Sequence, residues 1–263
     1  MSNRLFCEID CAQYLTSLPG GHFNPAVTLC LAFWQGFPVR KVPYYIFSQI
    51  FGAFMAGLFV MGMYREQILA LEAGLLEKGL PMVFNGGPAS IFCSYPLSTQ
   101  HSLGYLFFIE FFVDSFIGIV IWSALDPANP FVSPTTAPFV VGLAYAAMIW
   151  GFADITISTN LARDLGTRIV AAIFYGGEAF SYYNYSWISI LVNVPATFFA
   201  TAYYEFLMRD SLQKLGHGMA VHEDGDDGLK RVVTARGIHR GGAQVAEAGY
   251  TSQVAGTKEG SDY

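Results

Sequence analysis

Two apolar segments of this chain are too short to cross a bilayer, and both open on asparagine. Residues 24–34 follow Gly20-Gly21-His22-Phe23, and residues 160–174 carry Arg163, Asp164 and Arg168 within them. A crossing helix needs about 20 mostly apolar residues, and shorter runs read as re-entrant or interfacial helices. Asparagine suits a helix N-cap, and the small residues after it suit a first turn. Backbone that breaks at membrane depth is tolerated only where protein buries it or where it lines a wet cavity. Two such breaks in one chain therefore point to a polar path through a membrane.

The surrounding sequence supplies the membrane body. Residues 43–64, 104–125, 136–153 and 185–204 are each long and apolar enough to be read as spans, the second despite Glu110 and Asp114. The chain is 53% apolar and 13% charged, against a soluble norm near ~25% charged. Of its 34 charged residues, 15 fall in residues 209–263. Glu205, Arg209 and Asp210 are expected to close the last span, and residues 209–263 to form a disordered polar tail. Residues 65–103, with Asn85-Gly86-Gly87-Pro88, read as a long polar loop.

Several functions are excluded on the same grounds. A net charge of −6 provides no basic field for nucleic acid. Cys7, Cys11, Cys30 and Cys93 lack a metal-ligand spacing and read as free thiols, so neither metal nor cofactor is expected. The first 20 residues, with Glu8 and Asp10, lack the continuous apolar run of a secretory signal. Glu110, Asp114 and the five histidines form no catalytic constellation on one face, so no enzyme is expected. An ion-coupled transporter would want carboxylates at both helix breaks, and the first has none.

Gly21-His22-Phe23-Asn24-Pro25-Ala26-Val27-Thr28 and Asn160-Leu161-Ala162-Arg163-Asp164 stand 136 residues apart and divide the chain into comparable halves. That is the trace of an internal repeat. With the Ser48-Gln49-x-x-Gly52-Ala53 step and Glu110 in its helix, residues 20–208 resemble the aquaporin and aquaglyceroporin family. Asp164 after Arg163, with Arg168 four residues on, resembles the glycerol-conducting branch, as does Phe92-Cys93-Ser94-Tyr95-Pro96.

The resemblance implies an all-α membrane protein built as an inverted repeat, with two half-helices meeting at the midplane. It implies a passive path for water and polyols such as glycerol, a homotetramer in the plasma membrane, and a cytoplasmic tail. By the same resemblance Asn24, Pro25, Ala26, Asn160, Leu161 and Ala162 form the pore motifs. Arg163 is then the filter donor, with Ile157 beside it and Met148 or Ile149 opposite. His22 becomes an oriented hydrogen-bonding residue, and Glu110 holds loop carbonyls. Asp164 either supports its loop or meets solute, and Asp114 has no family role. The small-residue steps Gly52/Ala56 and Ala53/Gly57 read as core packing.

Two departures stand out. Leu161 replaces the usual proline at a first helical position, so narrowing or a small helix shift is expected. The family has six spans where four are read here, so the fold is expected to be N-terminally incomplete, lacking the first two. A non-conducting subunit, truncated and structural or regulatory, is therefore the alternative to a channel.

Overall fold

The computed structural model of the chain describes residues 21–211 apart from 101, 128 and 134. The expectations for the N-terminal segment, for Cys7 and Cys11, and for the tail from 212 onward with His217, His222 and His239 lie outside the described residues. Within them the regular elements are helices.

The first half-helix, α1 (Pro25–Trp34), starts where Asn24 caps it and Pro25 fills the first turn. Its 10 residues rise about 15 Å, half of a ~30 Å hydrocarbon core. It stops at Gln35, before Gly36 turns the chain at φ 70°. A single 3₁₀ turn (Val39–Lys41) leads into α2 (Val42–Met63), the first span.

The chain then departs from expectation. Residues after Tyr64 continue as a second helix, α3 (Arg65–Leu76), where a polar loop was expected. Arg65, Glu66 and Glu72 forbid a membrane span, but they are good helix formers. Buried Ile68 ties α3 to Met61, Val83, Phe92, Cys93, Tyr95, Val170 and Ala171 in one apolar cluster. The rest of the expected loop, with a 3₁₀ turn at Pro88–Ile91, thus contributes a core of its own.

The second half repeats the plan with α4 (Leu103–Leu125) and α5 (Ala137–Phe152). The second half-helix, α6 (Leu161–Tyr175), is capped by Asn160 and ended by Gly176 at φ 84°. After a four-residue turn, α7 (Glu178–Ser181), come α8 (Ser186–Leu191), α9 (Asn193–Tyr203) and a π-turn (Tyr204–Met208).

Among the described residues three helical stretches, rather than the four expected, are long and apolar enough to cross: Val39–Met63, Leu103–Leu125 and Ser186–Ser211. Helix α5 matches its expected boundaries, but its 16 residues rise only about 24 Å. The last helix does not close at Glu205. It runs to Ser211, and Arg209 Nη1 pairs with Glu205 Oε2 at 2.5 Å one turn back.

Among the described residues, internal packing groups 21–125 with 132–204, and 126–131 with 205–211. Within the second unit Arg209 also approaches Asp126, at 3.8 Å. Within the first, α6 packs along α2, α9 lies against α4 and α1, and α5 packs on α4. Each half-helix is thus held partly by a span from the opposite half.

Close backbone approach makes this possible. A Cβ on Gly166 would meet Ile50 O at 2.5 Å and Ala53 Cβ at 2.8 Å, so α6 fits α2 only with glycine there. The Ala53/Gly57 step faces this contact, with Val170 3.0 Å from a Cβ on Gly57. The Gly52/Ala56 step, expected in the core, is exposed instead.

Candidate functional site

The half-helices meet through a crossed pair of hydrogen bonds. Asn24 Oδ1 accepts the Ala26 N–H at 3.0 Å, capping α1, while its Nδ2 donates to Thr159 O at 3.2 Å. Asn160 Oδ1 accepts the N–H groups of Ala162 and Arg163 at 3.0 and 3.2 Å, while its Nδ2 donates to Phe23 O at 3.0 Å. Each asparagine caps its own helix and grips the residue preceding the other. Both gripped residues are non-glycine with positive φ, Phe23 at 52° and Thr159 at 62°. Such backbone costs about 1–3 kcal/mol per residue and persists only where surroundings enforce it. Here it turns the two carbonyls toward the opposing amides. Both helix N-termini, with their partial positive charge, face this junction.

Beyond α6 lies a cavity of about 280 Å³ whose lining includes Ser94, Ile149, Asp154, Ile157, Thr159 and Arg163. It brings Ile157 and Arg163 together with Ile149, while Met148 is not part of its lining. The Arg163 guanidinium is placed by Ser94, with Nη1 donating to Ser94 Oγ at 3.2 Å. Ser94 Oγ in turn donates to Ile157 O at 2.5 Å.

Asp164 and Arg168 do not line this cavity. They form a fully buried ion pair, Arg168 Nε to Asp164 Oδ1 at 2.7 Å, one turn apart on α6. Arg168 also donates to Ser94 O and Ala179 O, each at 2.7 Å, and to Ser189 Oγ at 3.0 Å, and it lies 5.0 Å from the Tyr95 ring centroid. Asp164 Oδ2 accepts the Ser94 N–H at 3.0 Å. A buried pair this completely bonded fixes geometry even where its net stabilisation is small. The loop at Ser94, the turn at Ala179 and the start of the last span are pinned to one point.

Glu110 is buried, but its bonds differ from those expected. Its carboxylate accepts from the Ser158 N–H at 3.1 Å and the Tyr185 hydroxyl at 2.7 Å, with Thr156 bonded beside them. It therefore holds the loop before α6 through an amide and hydroxyls rather than carbonyls, since an ionised carboxylate only accepts. His22 bonds Thr28 Oγ1 at 3.2 Å through Nδ1 and packs among Phe37 and Tyr45. Thr28 Oγ1 also donates to Asn24 O and accepts from Gln49 Nε2. In the loop, burial pushes the Cys93 thiol up to about 11. Among the described residues no group of His, Cys, Asp or Glu could hold a metal.

The pattern that describes the major intrinsic protein family matches residues 5–204. The chain belongs to that family. It is 40% identical over 195 residues to aquaporin-3 of Laccaria bicolor, covering 73% of this chain and 59% of that protein. It is 34% identical over 202 residues to a probable aquaglyceroporin-2 of Gibberella zeae, covering 74% and 56%. The chain spans less than two thirds of the length of these relatives. The X-ray structure of the aquaglyceroporin from Plasmodium falciparum has a similar fold, with a TM-score of 0.61 and 25% identity over 74% of this chain and 76% of that one. The fold is aquaporin-like, and the chain is an integral membrane protein.

As a major intrinsic protein the chain keeps its second cap despite Leu161, which sits partly buried at the first position of α6. Asn160 Oδ1 accepts both cap bonds, so the helix start is capped without a proline at its first position. Four contributors escaped the sequence reading. Phe23 and Thr159 act through backbone carbonyls, which carry no residue signature. Ser94 lay inside a quoted motif, yet its bonds span about 70 residues. Asn193, whose Nδ2 donates to Thr159 O at 3.0 Å, was the legible one, since a polar residue within a span is a functional signal.

Proposed function

We propose that this chain forms a passive transmembrane channel for water and small neutral polyols such as glycerol. The crossed Asn24 and Asn160 bonds carry the reading. An amide nitrogen has two N–H donors, and each asparagine spends one on the opposite loop. The other N–H of each is offered to a passing hydroxyl oxygen at the junction of two positive helix ends. Arg163 adds a fixed charge that opposes cations, and Ile149 and Ile157 present apolar surface to the carbon side of a polyol. The aquaporin and aquaglyceroporin relatives support the same assignment. The channel body comprises residues 20–208, between an N-terminal segment (1–19) and a cytoplasmic tail (209–263), and it assembles as a homotetramer in the plasma membrane.

The test is stopped-flow light scattering of proteoliposomes holding the purified full chain. Faster shrinkage under a sucrose gradient and faster re-swelling under glycerol than in protein-free liposomes are expected. Rates equal to those of protein-free liposomes in both arms would overturn the proposal.

One observation favours a second reading, a non-conducting structural or regulatory subunit that assembles beside conducting ones. The span Val39–Met63 has 11% of its apolar window buried, against 39% and 44% for the other two. Tyr44, Phe47, Phe59 and Met63 are each more than three-fifths exposed. Conduction restored only by co-reconstitution with a longer relative would select it.

A further inference from the structure

Ile157, which shares the cavity with Arg163, stands between two residues held by one buried group. Thr156 Oγ1 bonds the Tyr185 hydroxyl and lies 3.5 Å from Glu110 Oε1, and the Ser158 N–H donates to Glu110 Oε2 at 3.1 Å. Tyr185 precedes α8 and is fully buried. It belongs to an apolar cluster with Leu106, Ile188 and Val192, against which Ile155 packs. Through this cluster and through its hydroxyl, Tyr185 serves two successive residues of the loop between α5 and α6.

The supply of protons sets the direction of these bonds. A tyrosine hydroxyl has one to give, and Tyr185 Oη gives it to Glu110 Oε1 at 2.7 Å. Thr156 is therefore the donor to Tyr185. A chain runs from Thr156 through Tyr185 to the carboxylate, each bond polarising the next. Phenylalanine would fill the apolar cluster without burying an oxygen, so packing does not account for the hydroxyl. Its place beside the loop does. Thr156, Ile157 and Ser158 all line the cavity. The Ile157 carbonyl accepts from Ser94 Oγ, which in turn accepts from Arg163 Nη1. A loop clamped at residues 156 and 158 fixes the residue between them relative to the guanidinium.

We propose that Tyr185 is a positioning residue for solute selectivity, whose hydroxyl holds Thr156 and so sets the gap between Ile157 and Arg163. Tyr185 is not part of the cavity lining and acts only through the loop. Without its hydroxyl the Ser158 bond to Glu110 remains, so the loop stays attached at one end while Ile157 gains freedom. The gap then discriminates less sharply by solute width. The selectivity consequence rests on the channel reading above; the clamping of the loop does not.

The experiment uses the reconstituted full chain and the variants Tyr185→Phe, Thr156→Val, their double and Val192→Ala. Val192→Ala opens the same apolar cluster yet keeps the hydroxyl chain, so it reports lost packing alone. The ratio of erythritol to glycerol permeability is expected to rise about three-fold or more in Tyr185→Phe and in Thr156→Val, and no further in the double. Val192→Ala is expected to leave it unchanged. Hydrogen exchange across residues 154–160 is expected to quicken about ten-fold in both hydroxyl variants and to stay within about two-fold in Val192→Ala. The proposal is overturned if Tyr185→Phe keeps the wild-type ratio, or if Val192→Ala shifts it equally. It is also overturned if neither hydroxyl variant gives a monodisperse protein, since the bond then serves folding instead. If the wild type does not conduct, the channel reading fails and exchange decides alone: a wild-type rate in Tyr185→Phe refutes the clamp, and faster exchange upholds it.

Discussion

The first half-helix is anchored through the neutral hydroxyl of Thr28, which joins His22, Gln49 and the Asn24 carbonyl. The second is anchored through charge, with Asp164 and Arg168 holding Ser94, Ala179 and Ser189. Their caps are nearly superimposable in chemistry, so the difference lies in what each helix must organise. Helix α1 packs on α2 and α9, but its Thr28 hydrogen bonds tie only its own entry loop and α2. Helix α6 gathers a long loop, a turn and the start of the last span, and only a guanidinium presents enough donors in a rigid fork to do so. An inverted repeat can therefore keep one pore geometry while its halves are stabilised by unlike means.

The largest break in this comparison is expected from Arg168→Ala. It leaves Asp164 buried without its cation, at a cost of about 3–5 kcal/mol. Loss of a monodisperse peak in detergent gel filtration checks it, and wild-type yield and melting temperature would refute the anchoring role.

Next comes the α2–α6 contact. Gly166→Val drives a side chain into Ile50 O and the Phe54 backbone and is expected to cost about 1–3 kcal/mol. Gly52→Val, with nothing within 4 Å, serves as the control, expected within about 0.5 kcal/mol. Equal melting temperatures for the two would remove the close-approach argument.

For the first half-helix, Thr28→Val strips three hydrogen bonds without changing shape. A loss of about 1–2 kcal/mol is expected, smaller than for Arg168→Ala. A larger loss than Arg168→Ala would invert the comparison.

Ser94→Ala sharpens it differently. The Arg163 guanidinium loses the hydroxyl that links it to Ile157 O, while Ser94 N and O still serve Asp164 and Arg168. Melting is expected to stay within about 1 kcal/mol of wild type, while the ratio of glycerol to water permeability changes. An unchanged ratio would show that Ser94 does not place Arg163.

The smallest effect concerns Cys93. Burial raises its thiol to about 11, so the reactive thiolate is scarce below that pH and becomes available as pH rises through it. In a chain with Cys7, Cys11 and Cys30 changed to alanine, maleimide at pH 8 is expected to label unfolded protein only.

Much of this was legible in the sequence, and what was missed follows a rule. Both half-helices were marked by asparagine caps and by the limits of their apolar runs. Helices α2 and α4 fall within a residue of expectation, because hydropathy alone fixes a span. Helix α3 was missed since charges that exclude a bilayer say nothing against helix formation. Met148 and Ile149 stayed unresolved because adjacent residues differ by about 100° around a helix, and only packing sets the rotation. The Asp164–Arg168 spacing was visible, but Arg168 bonds carbonyls at Ser94 and Ala179, which any residue could supply.

That guanidinium also imposes a schedule on biogenesis. Arg168 leaves the ribosome before Ala179 and Ser189 emerge, and Ser94 belongs to a loop that must already be across or beside the membrane. Until all three arrive, the segment around α6 carries a cation whose acceptors are water or lipid headgroups, and insertion to the depth of the finished fold is unfavourable by about 2.5–3.5 kcal/mol. The second half-helix therefore docks late, after translation has passed Ser189, and a chain stalled before that point presents an uninserted, charged segment that quality-control machinery can detect.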